Sequence, residues 1–250
     1  MNAPNPQRVL ITGASSGLGR ALALWLAKKD LTVYAAGRRL EQLESLAASA
    51  PERIRPFTLD VADADAAHDA VKELDRTSGG LDLVIANAGV GDSMSAKSIE
   101  WRRVRKVLDV NVMGATATLC GALPGMLERG RGHLVGISSL AAFLSLPKTA
   151  AYNASKTYLT AWLESVRLDV EGHGVAVTTI HPGFVRTEMT AKNKHPMPFI
   201  IDADDAAERM GRAILKRTKM FSYPLPTSLV VGLASSLPRP LQRALGRRVN

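Results

Sequence analysis

The chain contains 250 residues, of which 46% are apolar and 22% are charged, so it can bury a globular core without a metal ion or a disulfide. Its single cysteine, Cys120, excludes an internal disulfide and favours a reducing compartment, which predicts a cytoplasmic protein. Residues 1–8 lack the apolar core of a secretory signal, and the best candidate for a membrane span, residues 225–237, is too short and carries Pro226.

The net charge of +9 is concentrated at one end of the chain. Nine Lys or Arg residues and no acidic residue follow Glu208, so the preceding residues are electrically balanced. A nucleic-acid-binding protein would carry its basic surface on its recognition elements, and we therefore expect no nucleic-acid partner. The basic character belongs to the C-terminal segment, in which residues 224–250 form an extension that combines apolar and cationic side chains.

Short apolar runs alternate with longer amphipathic segments from residue 8 onward. The runs predict strands over 8–12, 32–36, 54–59, 82–86, 133–138, 175–180 and, as a last edge strand, 219–223. The amphipathic segments predict helices over 17–29, 40–49, 63–79 with Asp63 as N-cap, 101–128, 150–171 and 203–216. Apolar strands that alternate with helices are typical of a parallel sheet covered on both faces. We predict one doubly wound, Rossmann-type α/β domain over residues 1–250, with a mainly parallel sheet of about seven strands.

A glycine-rich turn joins the first strand to the first helix, with the sequence Thr12-Gly13-Ala14-Ser15-Ser16-Gly17-Leu18-Gly19. Free N–H groups and the helix dipole favour a pyrophosphate at such a helix start, and glycine lets it approach the backbone. The spacing is Gly-x3-Gly-x-Gly rather than Gly-x-Gly-x-x-Gly, and such a turn can also be a plain tight connection. Its position after the first strand favours dinucleotide binding by Gly13, Ser15, Ser16, Gly17, Leu18 and Gly19.

The second strand ends in Gly37-Arg38-Arg39, where NAD-selective sites carry an acidic residue for the ribose 2′-hydroxyl. A guanidinium can bind a 2′-phosphate with two hydrogen bonds, whereas a carboxylate would repel it. The sequence therefore predicts NADP(H), with Arg38 as the first candidate for the phosphate contact and Arg39 as the second. The alternative is that both are solvated residues at a helix start.

Tyr152 and Lys156 lie four residues apart on a predicted helix, so their side chains share a face. A free phenol has a pKa of ~10 and is a poor acid–base catalyst at neutral pH. An ammonium nearby stabilises the phenolate and therefore lowers that pKa. Ser139 follows the carboxyl end of the fifth strand, the edge where ligands of such sheets bind. These residues predict a proton donor, its activating cation and a hydroxyl that positions the substrate oxygen.

Over roughly residues 8–190, the chain resembles the short-chain dehydrogenase/reductase family in the segments 12–19, 87–89, 138–139, 152–156 and 182–187 and in Asn111. The resemblance implies that Tyr152 protonates a carbonyl oxygen as hydride arrives from the nicotinamide, and that the reverse occurs in alcohol oxidation. It also implies that Lys156 binds the nicotinamide ribose and that Asn111 holds a water in a proton relay.

The resemblance assigns further cofactor contacts. Asp60 and Val61 would meet the adenine, and the segment Asn87, Ala88 and Gly89 would border the dinucleotide. The nicotinamide carboxamide would lie against Pro182, Gly183, Val185 and Thr187. Plainer roles exist for each: an N-cap at Asp60, turn chemistry at residues 87–89 and a simple loop at 182–187.

The segment after Thr187, residues 188–201, is expected to be a substrate flap; it is apolar and rich in proline, which favours a lipophilic substrate. We predict an NADP(H)-dependent oxidoreductase that interconverts a lipophilic ketone or aldehyde and an alcohol. A nucleotide-retaining epimerase or dehydratase, and a non-catalytic NADP(H)-binding redox sensor, are the alternatives. No metal is expected, because the five histidines are scattered and form no ligand spacing with Cys120.

The resemblance also implies a homodimer or homotetramer. The C-terminal extension is expected to pack against another subunit or to cover the active site. Peripheral contact with a membrane is the less favoured alternative, because Pro224, Pro226, Pro238 and Pro240 are expected to interrupt any long helix.

Overall fold

A sheet of seven parallel strands forms the centre of the protein in a computed structural model that describes residues 7–191, 193, 197–238 and 240–242. In chain order the strands are β1 (Arg8–Thr12), β2 (Thr32–Gly37), β3 (Ile54–Thr58), β4 (Leu83–Ala86), β5 (Gly132–Ile137) and β6 (Val175–Pro182). The two-residue strands β7 (Val185–Arg186) and β8 (Ile201–Asp202) pair separately, and β9 (Met220–Tyr223) completes the large sheet. The strand order β3-β2-β1-β4-β5-β6-β9 confirms the predicted Rossmann-type fold.

Helices cover both faces of this sheet. They are α1 (Gly17–Ala27), α2 (Leu40–Ala48), α3 (Ala64–Thr77), α4 (Trp101–Leu108), α5 (Ala115–Glu128), α6 (Ala150–Asp169), α7 (Ala203–Leu215) and α8 (Leu225–Ser236). One core joins α1, α2 and α7 to the sheet, and the other joins α3, α5 and α6 to its opposite face. The side chains of β1 alternate accordingly, since Val9 and Ile11 enter the first core and Leu10 enters the second. Asp63 caps α3 by accepting a hydrogen bond from Ala66 N, as predicted.

The topology brings the candidate functional residues to one edge. The chain reverses its direction of winding at β1, whose neighbours are β2 and β4, and ligands of such sheets bind at the carboxyl ends of strands beside this point. The glycine-rich turn follows β1, residues 87–89 follow β4, Ser139 follows β5 and residues 183–187 follow β6.

The predicted helix over 101–128 is interrupted by a π-helical segment, Asp109–Gly114. Such segments often mark functional sites in helices, and this one contains the buried Asn111. The stretch Trp101–Glu128 is also long and apolar enough to span a membrane by length and composition alone, which corrects the expectation that the chain has no such stretch. Half of its apolar window is buried, and α5 packs in the core against α3. This burial explains its composition as that of a core helix.

The segment after β9 is also more regular than expected. Helix α8 runs for 12 residues, so Pro226 does not interrupt it. Pro226 lies in the first turn, where the missing N–H has no intrahelical partner to lose, and Pro238 follows the helix end. Of the predicted flap and C-terminal extension, residues 192, 194–196, 239 and 243–250 lie outside the described residues.

Candidate active site

The glycine-rich turn is tied to the loop after β4. The Thr12 hydroxyl accepts hydrogen bonds of 3.1 Å from both Asn87 N and Ala88 N, and the Asn87 side chain donates to Thr12 O at 2.8 Å. Gly13 has a positive φ of 68°, and a Cβ there would lie only 2.8 Å from Ala88 Cα. The two loops therefore pack with backbone on backbone, which requires glycine at this position.

The start of α1 has the properties of an anion site. Ser16, its N-cap residue, makes no side-chain capping bond, and no acidic residue lies in the first turn. The first N–H groups of a helix have no intrahelical acceptors, so they are available to a phosphate. Gly17 has φ +52°, and a Cβ on it would touch the Thr187 side chain at 3.3 Å. The turn, α1 and the segment after β6 thus form a backbone-lined cradle that fits a dinucleotide pyrophosphate.

The two arginines after β2 point to different partners. The Arg39 guanidinium donates to Ser16 Oγ at 2.6 Å and to Ser15 Oγ at 3.0 Å, and it lies 3.6 Å from the Glu188 carboxylate. Arg38 instead lies 3.8 Å from the Asp60 carboxylate on the exposed surface. Arg39, the second candidate from sequence, is thus the guanidinium in direct contact with the glycine-rich turn.

Tyr152, Lys156 and Ser139 come together at the same edge. Helix α6 carries the first two, and Ser139 caps the short 3-10 turn Leu140–Phe143 by accepting from Ala141 N at 3.1 Å. Burial raises the pKa of the Tyr152 phenol, and a hydrogen bond with Ser139 acts in the opposite direction. The phenol therefore depends on polar neighbours to reach a useful pKa.

Lys156 supplies a positive charge beside the Tyr152 ring. Its ammonium lies 5.9 Å from the centre of the Tyr152 ring and donates to Ile137 O at 2.7 Å. Burial lowers the Lys156 pKa to about 8, which leaves the side chain mainly protonated at neutral pH. A Cβ on Gly89 would lie 3.6 Å from this ammonium, so the loop after β4 reaches the Lys156 side chain. The candidate cofactor loop and the candidate proton donor thus share one site.

Asn111 braces this site through its side chain. Its amide donates to Val90 O at 3.0 Å and to Ser155 Oγ at 3.1 Å, and its carbonyl accepts from Val90 N at 2.8 Å. Ser155 in turn donates to Tyr152 O at 2.7 Å. The Asn111 side chain therefore links the loop after β4 to the first turn of α6. Sequence reasoning missed Val90, and it used Ser155 only as part of the segment 152–156, with no role of its own.

Sequence reasoning also missed a polar cluster behind Lys156. The Ser138 hydroxyl donates to Lys156 O at 2.9 Å and lies 2.8 Å from Thr160 Oγ1, which lies 3.1 Å from His181 Nε2. The His181 ring also packs against Phe143, with 4.7 Å between ring centres. His181 is fully buried, so it is part of the packing behind the site. Its position directly before Pro182 was the available signal.

The remaining candidate residues surround this core of the site. Val61 is buried against the π-helical segment, where a Cβ on Gly114 would lie 2.8 Å from its own Cβ. Pro182 ends β6, and Gly183 N donates to Tyr223 O at 2.7 Å. Among the described residues, no group of three His, Cys, Asp or Glu side chains could hold a metal ion.

The glycine-rich turn and the group of Ser139, Tyr152 and Lys156 lie at the same edge of a doubly wound sheet. Residues 7–198 match a family model described as short chain dehydrogenase. A protein of Myxococcus xanthus, described as an uncharacterized oxidoreductase, is 51% identical over 243 residues, which cover 96% of each chain. The chain belongs to the short-chain dehydrogenase/reductase family and is an oxidoreductase of that family.

Solved structures show the same fold. A short-chain dehydrogenase from Streptomyces avermitilis superposes with a TM-score of 0.83 at 26% identity, over 99% of this chain and 100% of that chain. A short-chain dehydrogenase from Sphingobium yanoikuyae in complex with NADPH gives a TM-score of 0.80 at 22% identity, over 93% and 97% of the two chains. The likeness extends across the sheet and its helices.

Proposed function

We propose that the protein is an NADP(H)-dependent oxidoreductase that interconverts a carbonyl compound and an alcohol, with Tyr152 as the acid and base. The observation that carries the proposal is the placement of the Lys156 ammonium 5.9 Å from the centre of the Tyr152 ring, beside the loop after β4. Ser139 acts on the same phenol by lowering its pKa. This group adjoins the backbone cradle through Gly89. A sensor that only binds nucleotide needs no such arrangement around a phenol.

The bound dinucleotide would supply the hydride for the substrate carbon. In the reduction, Ser139 donates a hydrogen bond that positions the carbonyl oxygen, and Tyr152 transfers its proton to that oxygen as the C–O double bond becomes single. The Lys156 ammonium stabilises the phenolate that remains, and it would also bind the ribose of the dinucleotide. By the family resemblance, Asn111 would hold the water through which the proton is replaced; its side chain is held in place by Val90 and Ser155. Alcohol oxidation follows the same path in reverse.

The proposed cofactor contacts lie along the backbone cradle formed by the glycine-rich turn, α1 and the segment after β6. The glycine-rich turn would bind the pyrophosphate, Asp60 and Val61 would meet the adenine, and residues 87–89 would border the dinucleotide. Pro182, Gly183, Val185 and Thr187 would brace the carboxamide; of these, Thr187 lies so near the turn that a Cβ on Gly17 would come within 3.3 Å of its side chain. The choice of NADP(H) is supported by Arg39 on the serines of the turn, and the Sphingobium yanoikuyae relative was solved with NADPH.

Replacing Arg39 with alanine is expected to lower kcat/KM for NADPH by roughly 10- to 100-fold, the value of a lost hydrogen bond to a charged group. The value for NADH should change little, because NADH has no 2′-phosphate. Arg38→Ala serves as the matched variant and should have the smaller effect on NADPH, since that guanidinium lies 3.8 Å from Asp60. Equal losses with both cofactors in Arg39→Ala would contradict the NADP(H) assignment.

The substrate proposed for the site is lipophilic. The turn that follows Ser139, Leu140–Phe143, is wholly apolar, and the flap exposes Met189 and Phe199. The purified protein is expected to oxidise NADPH with ketones and aldehydes, and kcat/KM should rise with the length of an alkyl chain. Absence of NADPH oxidation across a broad panel of both classes, in the presence of cofactor binding, would favour the sensor alternative.

The proposed enzyme is a cytoplasmic homodimer or homotetramer. The single cysteine suits a reducing compartment. Sedimentation equilibrium of the purified chain measures the number of subunits directly.

A further inference from the structure

Helix α8 presents its apolar side to solvent. Leu225, Leu229 and Leu233 are each about 70% exposed, and Val230 is 65% exposed. The half-buried side that faces the domain contains the polar residues Thr227, Ser228 and Ser235 together with Val231 and Ala234. A helix on the surface of a soluble domain normally has the opposite arrangement, with its apolar stripe toward the core. The outward side of α8 is therefore built to contact an apolar phase.

The exposed residues form a continuous stripe. Leu225, Leu229 and Leu233 are spaced four residues apart, which places them above one another on one side of the helix, and Val230 lies beside them. Helix α8 carries no charged residue, and Leu241 adds another exposed apolar side chain after the helix. Exposed apolar stripes of this kind mark contacts with proteins or membranes.

The charge of the residues after Glu208 distinguishes a contact with a protein from a contact with a membrane. All nine charged residues after Glu208 are basic, and four of them, Arg239, Arg243, Arg247 and Arg248, follow α8 in the sequence. A second copy of the chain, docked on α8, would bring two such basic segments together, and like charges oppose this. An anionic lipid surface attracts them, and apolar side chains beside basic ones are typical of helices that lie in a bilayer interface.

We propose that α8 docks the protein peripherally on anionic bilayers, with the leucine stripe in the bilayer interface. At 12 residues the helix is about 18 Å long, too short to cross the hydrocarbon core. Helix α8 packs on β9 and on the turn Leu140–Phe143 that follows Ser139. Docking therefore holds the carboxyl edge of the sheet near the lipid.

The test uses the purified full-length protein and flotation with vesicles of phosphatidylcholine, with or without phosphatidylserine. The protein is expected to float with the phosphatidylserine vesicles at least fivefold more than with phosphatidylcholine alone, and raised salt should reduce this fraction. In the double variant Leu229→Ser, Leu233→Ser, the fraction of protein that floats with these vesicles should be at least tenfold lower than in the unmodified protein. Its thermal unfolding should match that of the unmodified chain, since both side chains are exposed.

The matched control is the double variant Ile99→Ser, Leu168→Ser, which removes two exposed apolar side chains outside α8. It should float like the unmodified protein. Equal flotation of the two double variants, or no flotation with phosphatidylserine, would overturn the proposal. A dimer that dissociates in Leu229→Ser, Leu233→Ser without any vesicle binding would assign the stripe to a second copy of the chain. A change in kcat/KM without vesicle binding would make α8 a cover of the active site, and this too would overturn the proposal.

Discussion

Tyr152→Phe is expected to lower kcat by roughly 10²- to 10⁴-fold, the usual contribution of a general acid or base. The substitution removes the hydroxyl that donates the proton and leaves the ring, so the packing of α6 should persist. Dinucleotide binding should persist too, because the backbone cradle at Gly13 and Gly17 does not involve the phenol oxygen. Steady-state turnover and NADPH fluorescence titration measure the two quantities separately.

The same helix offers a matched control in Tyr158. Within the described part of the chain, its hydroxyl accepts one long hydrogen bond, of 3.4 Å from Thr116 Oγ1, and its side chain is 39% exposed. Tyr158→Phe removes the same atom six residues away and should leave kcat within about twofold, as is usual for exposed positions outside special features. Undiminished turnover in Tyr152→Phe, or equal losses in the two variants, would show that the phenol of Tyr152 is not the proton donor.

The central sheet and the location of the site could be predicted because both depend on local patterns. Strands buried on both faces are nearly all apolar, so β1, β4 and β5 stand out in the sequence. Parallel topology then places whatever follows these strands at one edge. Gly13, Ser139 and the loop after β4 each follow a strand directly, so their convergence required only the order of the elements.

The side-chain partners could not be predicted in the same way. Arg38 and Arg39 are neighbours with the same chemistry, and only the direction of each side chain separates the contact with Ser16 from the contact with Asp60. Asn111 lies in an apolar helical pattern whose period does not reveal a π-helical segment. The exposed leucines of α8 were hidden for another reason: apolar composition does not show which side of a helix faces the protein.

Two buried histidines are expected to make the protein sensitive to acid. Burial lowers the pKa of His181 from 6.5 to about 4, assisted by the positive charges of Lys156 and Arg167. Burial, with a smaller effect of Arg217, lowers the pKa of His133 from 6.5 to about 3. Below pH 6.5 the unfolded chain therefore binds protons that the folded chain does not, so the free energy of unfolding falls as the pH falls.

One pKa unit corresponds to about 1.4 kcal/mol, so each histidine should cost about 2 kcal/mol of stability when the pH is lowered to about 5. Together they would remove about 4 kcal/mol, a large share of the 5–15 kcal/mol typical of a folded domain. Urea unfolding at about pH 7 and pH 5 measures this loss, in a range where most carboxylates stay ionised. His133→Gln and His181→Gln replace each ring with a polar side chain that does not titrate, so each variant should lose about half of the pH dependence. If the double variant keeps the full pH dependence of the free energy of unfolding, the acid sensitivity comes from other groups.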